Sequence, residues 1–279
     1  MDFDRRALNP GEPDRALLYV YDRGTNYERD TRVTEALEVL IPEHELVDPD
    51  QRLFQTVHLV TEYFWYGIHF ELRRVVDALD GDDYALADDL LDRAAMMADG
   101  PLLGLRLLLR CLPQYSLLRM REHFPPDTSG FDSPGGANMR RIAGPVWRSF
   151  EAALDRHGMS LERLSLTRME ASGGGARLNH AVALLAKVHD GLHRLDVQIT
   201  TWRQLHLKLA RTQLGSAAAA DGTTSRPEPV SLRGRPVSDL ERIADKPFFP
   251  ALWEVPGLIF DVMAGGGAAE PGRDRPANP

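Results

Sequence analysis

The sequence predicts an all-α protein, a single helical-bundle domain. Three observations predict it. Apolar residues recur at three- and four-residue spacing in two long segments, and no run alternates in the two-residue period of a half-buried strand. Proline and glycine fall between the periodic segments, as at Pro42, Gly81, Pro113 and Pro125-Pro126. The chain shows no internal repeat.

Residues 1–28 are polar, carry Pro10 and Pro13, and read as an arm around a short ordered piece from Ala16 to Tyr21. Thr31 to Leu40 reads as a short helix that stops before Pro42. Asp48 or Asp50 is placed to cap the long helix that follows, from Leu53 to Leu79. Its apolar face is Phe54, Thr61, Trp65, Ile68, Leu72, Val75 and Leu79, and His58 shares it. Gly81-Asp82-Asp83 is a turn, Tyr84–Met97 a helix, and Leu102–Leu112 another with Gly100-Pro101 at its start. Pro113 breaks the pattern, and a helix from Ser116 to Phe124 ends at Pro125-Pro126. Phe131–Ala137, with Pro134-Gly135-Gly136, reads as a loop before a helix from Asn138 to His157.

Ser172 to Gly175 is a break, and Asn179 is a candidate cap for the second long helix. Its buried stripe is Leu185, Val188, Leu192, Leu195, Ile199, Trp202 and Leu209, with His206 in the slot between the last two. Residues 216–236 are poor in apolar side chains and rich in Ala, Gly, Thr and Pro, which predicts a mobile loop or lid. Pro247 to Phe260 is apolar and aromatic and is expected to dock on the core. One domain spans 1–263, and 264–279 reads as a disordered Gly/Pro/Arg tail.

Bulk composition narrows the function. The 279 residues carry a net charge of −8, which argues against nucleic-acid binding. No stretch approaches the roughly 20 apolar residues of a membrane span, and the start of the chain has no apolar signal-peptide core, so a cytoplasmic protein without a membrane partner is expected. One cysteine, Cys111, excludes an internal disulfide. There is no Cys-x-x-Cys-His, so a haem would not be attached covalently in the c-type manner.

Two long amphipathic helices thus each turn one histidine inward among aromatic residues. Facing imidazoles suit the two axial sides of a haem: one binds iron, the other hydrogen-bonds whatever occupies the open position.

Three ordered segments resemble the tryptophan 2,3-dioxygenase superfamily over roughly residues 50–215. Phe54-x-x-x-His58-x-x-x-Glu62, with Phe64 and Trp65, resembles that family's distal helix. Met120-Arg121-Glu122-His123-Phe124 followed by Ser129-Gly130-Phe131-Asp132-Ser133 resembles its F-R-E-Y-L…S-G-F-Q-S stretch, one residue longer in register. Arg194-Leu195-Asp196 through Trp202-Arg203-Gln204-Leu205-His206 resembles its proximal helix. The resemblance implies a helical bundle of that type around haem b, with His206 as iron ligand beside Trp202 and His58 as the catalytic residue on the open face. It implies that Arg121 binds the substrate carboxylate, and that Phe54, Ser129 and Trp65 border the substrate. Relatives form homo-oligomers, so a dimer or tetramer is expected.

The chain departs from that pattern in several places. The G-T-G-G-S-S-G loop that holds the substrate ammonium group is replaced by Ser216-Ala-Ala-Ala-Ala-Asp221-Gly-Thr-Thr-Ser225. Leu59 and Thr61 stand where the family carries glutamine and tyrosine, and the N-terminal paired-tyrosine motif is reduced to Tyr27. The expectation is therefore a divergent haem-dependent oxygenase of a free aromatic L-amino acid in secondary metabolism. Hydroxylation of L-tyrosine with O2 or H2O2 comes first. Tryptophan oxidation (2,3-dioxygenation to N-formylkynurenine, or mono-oxygenation) is the alternative, and a haem-free helical binding protein comes third.

Arg119 competes with Arg121 because of the one-residue slip. His189 and His193, at i and i+4, share a helix face but lack a third metal ligand and a zincin glutamate, so a solvated pair is expected. Cys111 reads as a buried inert thiol. Arg106 and Arg110, one turn apart in a Leu-rich helix, could meet haem propionates or simply water.

Overall fold

A computed structural model describes residues 6–173, 178–215 and 229–266. Among the described residues the architecture is all-α apart from one two-stranded antiparallel pair, β1 (Arg6–Ala7) with β2 (Val20–Tyr21), in which Arg6 faces Tyr21. Helices α1 (Asn26–Thr31) and α2 (Val33–Glu38) come next, then α3 (Gln51–Asp80), α4 (Tyr84–Met97), α5 (Asp99–Cys111) and α6 (Gln114–His123). After these run α7 (Pro134–Arg156), α8 (Leu161–Ser172), α9 (His180–Leu214), α10 (Ser238–Ala244) and α11 (Pro250–Gly266).

The main core lies between α3, α4, α7 and α9. Ile68, Leu72, Leu79, Leu90, Leu91, Phe150, Leu185, Val188, Leu192 and Leu195 are its buried members. Both long helices pack on α4 and α5. Those two shorter helices therefore act as spacers that set α3 and α9 side by side with a gap between them. At its edge Trp65 of α3 meets Trp202 of α9 edge to face, ring centroids 5.3 Å apart. Close approach of α4 to α9 explains the glycine inside a long helix. A Cβ at Gly191 would stand 2.9 Å from the Leu91 Cβ, where only hydrogen fits.

Local chemistry moves several predicted boundaries. The expected helix over 31–40 begins earlier and is split. Thr25 and Glu28 form a reciprocal capping box at the start of α1, and Arg32, at φ 55, ends it in the left-handed region. No side chain caps α3 at Asp50. Asp48 instead accepts the Asp50 backbone N–H (3.0 Å), and the Asp50 carboxylate accepts the Ser116 hydroxyl (2.8 Å).

Helix α7 starts at Pro134, inside the stretch expected to be a loop. Ser133 accepts the Gly136 N–H (2.9 Å). Glu62, reaching over from α3, accepts the Gly135 N–H (2.8 Å) and the Ser133 hydroxyl (2.5 Å). A carboxylate at a helix N-terminus is favoured by the local dipole, so a tertiary contact starts this helix. The short α8 carries a single buried residue, Leu164, and so lacked a periodic stripe. Asn179 does cap α9, accepting the Val182 N–H at 2.9 Å.

The segment 216–236 divides. Residues 216–228 lie outside the described residues, whereas 229–236 is a pinned turn rather than a mobile loop. Val230 bridges to Pro236, and Arg233 binds the Asp127 carbonyl (2.7 Å) and the Asp132 carboxylate. The aromatic segment after Pro247 docks as expected, with Phe248 and Phe249 buried. Helix α11 then runs to Gly266, past the predicted end of the domain at 263, and 267–279 lie outside the described residues. Among the described residues, no helix is long and apolar enough to cross a membrane.

Candidate functional site

The gap between α3 and α9 opens into a cavity of about 300 Å³. Phe54 of α3, Arg121 of α6, Ser129 of the turn before α7, and Trp202 and His206 of α9 all border it, as do Leu232 and Leu240. The walls are mostly apolar with a few convergent polar groups, as in small-molecule sites. Four separately predicted site residues thus reach one cavity wall with His206, although they span 153 positions of sequence between Phe54 and His206.

His206 is half-buried, and its ring stacks on Trp202 with centroids 5.2 Å apart and planes within 12°. Burial, and after it the nearby charge of His58, hold its pKa down to about 4. The imidazole is therefore neutral at pH 7 with a lone pair to donate, which is the form a metal ligand needs. Among the described residues neither ring nitrogen has a hydrogen-bond partner. The neighbouring Trp202 Nε1–H is buried without a partner as well.

His58 keeps accessible surface because it faces open space, yet the protein packed around it lowers its pKa. The Phe54 carbonyl and the Glu62 carboxylate pull weakly the other way. Its Nδ1–H donates to the Phe54 carbonyl at 2.7 Å. That bond fixes the neutral tautomer, leaving Nε2 as an acceptor. The Phe54 ring lies 4.1 Å from the imidazole and holds its plane.

Two arginines that compete in sequence separate in space. Arg121 lines the cavity and donates to the Val230 carbonyl at 2.6 Å, tying the 229–236 turn to α6. Arg119 points away, pairing with Asp48 (3.3 Å) and the Val47 carbonyl (2.9 Å). Trp65, expected at the substrate, is instead a core residue, 4% exposed, that reaches the cavity only through Trp202. Ser129 borders the cavity while its hydroxyl accepts the Phe131 N–H at 3.2 Å.

The remaining candidates go elsewhere. His189 is not solvated: its Nδ1 bonds Asp190 (3.0 Å), Asp190 is held by Arg168 (2.7 Å), and burial lowers the histidine pKa. His193 packs on Trp253, centroids 5.3 Å apart. Among the described residues, no group of three or more His, Cys, Asp or Glu is arranged to hold a metal ion. Cys111 is exposed at the end of α5 rather than buried, and Arg106 and Arg110 are exposed to water away from the cavity.

Sequence reasoning missed Arg140 and Arg203 as cavity residues. It also gave no structural role to Asp196, which is fully buried and accepts the N–H groups of Phe248 (2.9 Å) and Phe249 (2.6 Å). A lone aspartate in an apolar helical stripe was the available sign, since such a group is buried only when well bonded.

The donor set fits a haem. A neutral imidazole without a partner, an orphan indole N–H and guanidiniums without an ion pair border one mostly apolar space, and a second imidazole, His58, with Nε2 open as an acceptor, lies near His206 outside the lining of that space. The enclosed volume alone accommodates an amino acid. A porphyrin is larger than this enclosed volume. No protein-family model matches the chain, and no curated protein matches it.

Proposed function

We propose that this protein is a haem b-dependent oxygenase that inserts one oxygen atom into the ring of a free aromatic L-amino acid, with L-tyrosine as the leading substrate. The observation that carries the reading is that His206 and Arg121 border one cavity while His58 lies close enough for its charge to act on His206. Its chemical balance is aryl–H + H2O2 → aryl–OH + H2O, or aryl–H + O2 + 2e⁻ + 2H⁺ → aryl–OH + H2O.

Bound haem would supply the redox chemistry, and His206 would hold its iron. The chain's own residues do the rest. The Arg121 guanidinium has donors beyond the one spent on Val230 and forks onto a carboxylate. His58 Nε2 accepts a hydrogen bond from a phenol, or takes its proton, while Phe54 and the Phe54 carbonyl stop the ring from turning. Phe54, Phe124 and Phe131 exclude water and flank an aromatic ring. Placing the substrate ring close to the reacting centre is the protein's contribution to rate.

The test is an absorption titration of purified protein with haemin, then with L-tyrosine and L-tryptophan. A Soret band that shifts with tyrosine, and conversion of tyrosine to a catechol, is the expected result. A shift with tryptophan alone, with N-formylkynurenine as product, overturns the tyrosine reading in favour of dioxygenation. A protein that takes up no haemin overturns the haem reading and leaves a helical amino-acid-binding protein.

A further inference from the structure

Arg121 shares the cavity with two more guanidiniums, Arg140 from α7 and Arg203 from α9. Arg203 is half-buried, and among the described residues neither it nor Arg140 has an ion pair. One Arg203 N–H donates to the Lys246 carbonyl, and its remaining donors are unspent. Burial, and the positive charge of Arg140, both push the Arg203 pKa down, although Asp196 attracts it. Asp196 is a poor partner because its two oxygens already receive the Phe248 and Phe249 N–H groups and the Thr200 hydroxyl (3.0 Å). Among the described residues, no carboxylate borders the cavity.

Two like charges brought together in a partly dry pocket destabilise each other. The arrangement is relieved when an anion sits between them. Planar guanidiniums on two different helices suit a carboxylate, whose two oxygens accept parallel bonds.

We propose that Arg140 and Arg203 form a carboxylate seat for the ligand of this cavity, separate from the one at Arg121. The proposal rests on the reading of this cavity as a haem and amino-acid site. The seated group is a carboxylate in either case: a propionate of the porphyrin, with the amino-acid carboxyl at Arg121, or the amino-acid carboxyl itself, which then does not lie at Arg121.

The experiment compares wild type with Arg140→Gln, which leaves the Lys246 contact intact, and with Arg203→Lys, which keeps charge but loses the fork. The probes are haemin, haemin dimethyl ester, L-tyrosine and L-tyrosine methyl ester. Binding is read from Soret absorbance and, in haem-free protein, from tryptophan fluorescence, with folding checked by circular dichroism. The expected result is about tenfold weaker binding of one acid, with its ester unaffected. Loss confined to haemin places a propionate in the seat, and loss confined to tyrosine places the amino acid there. Folded variants that bind all four probes as wild type does overturn the proposal. If wild type takes up no haemin, the haem reading falls. The seat is then judged by tyrosine against its ester alone, and equal fluorescence responses in wild type and variants overturn it.

Discussion

His58 on α3 and His206 on α9 lie close enough across the gap between these helices for the charge of the first to oppose protonation of the second. Both imidazoles are pushed toward neutrality by burial. The site is built to present lone pairs at neutral pH, and this has a consequence for acid stability. The His206 pKa is about 4 in the folded state and about 6.5 when unfolded. Between those values the unfolded chain binds more protons, so stability rises with pH through this window and falls on acidification. Thermal unfolding of haem-free protein should show a Tm that climbs from pH 4 to 6.5, with a smaller climb in His206→Gln. Equal slopes in the two proteins would refute the assignment.

The two histidines should separate by role. His206→Ala is expected to abolish haem retention after gel filtration. His58→Ala should keep a Soret band while turnover falls on the order of a hundredfold or more. Retention of a normal haem spectrum by His206→Ala would sink the ligand assignment.

Arg121 and Arg119 provide an internal control. Arg121→Met should weaken aromatic amino-acid binding by roughly ten- to a hundredfold, through loss of a charged hydrogen-bond pair. Arg119→Met should leave binding unchanged and alter stability by less than about 1 kcal/mol, because its own side chain is largely exposed. If Arg119→Met were the variant that weakened binding, the carboxylate anchor would move to that arginine.

Gly135 is a packing test. A Cβ there would stand 2.5 Å from Glu62 Oε2 and 2.6 Å from Trp65 Cβ. Gly135→Ala should therefore cost about 1–3 kcal/mol and lower Tm by several degrees. It should also loosen the start of α7 that positions Ser129 and Arg140. A Tm equal to wild type would mean that α3 and α7 part without cost.

Asp196 anchors the C-terminal segment to α9. Asp196→Asn replaces one acceptor with a donor that faces a backbone N–H, a change expected to cost about 2–3 kcal/mol. Limited proteolysis should then cut faster between residues 229 and 247. Cleavage at the wild-type rate would show that the hydrophobic docking of Phe248 and Phe249 suffices alone.

The sequence by itself determined the elements whose signals are local. The stripes of α3 and α9 are visible because one buried face needs apolar residues every third or fourth position. The caps at Asn179 and the Pro113 break are equally local. His58 and His206 could be singled out because each interrupts an apolar stripe. Tertiary structure decided the rest. Glu62 starts α7 from a distance of 73 positions, so no local pattern could place that helix end at Pro134. Arg119 and Arg121 sit two residues apart on one helix, and only the packing of α6 against α3 sends one to Asp48 and the other into the cavity. Trp65 carries the same aromatic signal as Phe54, yet its angular position on α3 buries it against Trp202. Periodicity reports which face of a helix is buried. Whether that burial is in core or around a cavity depends on how far α4 and α5 hold the two long helices apart.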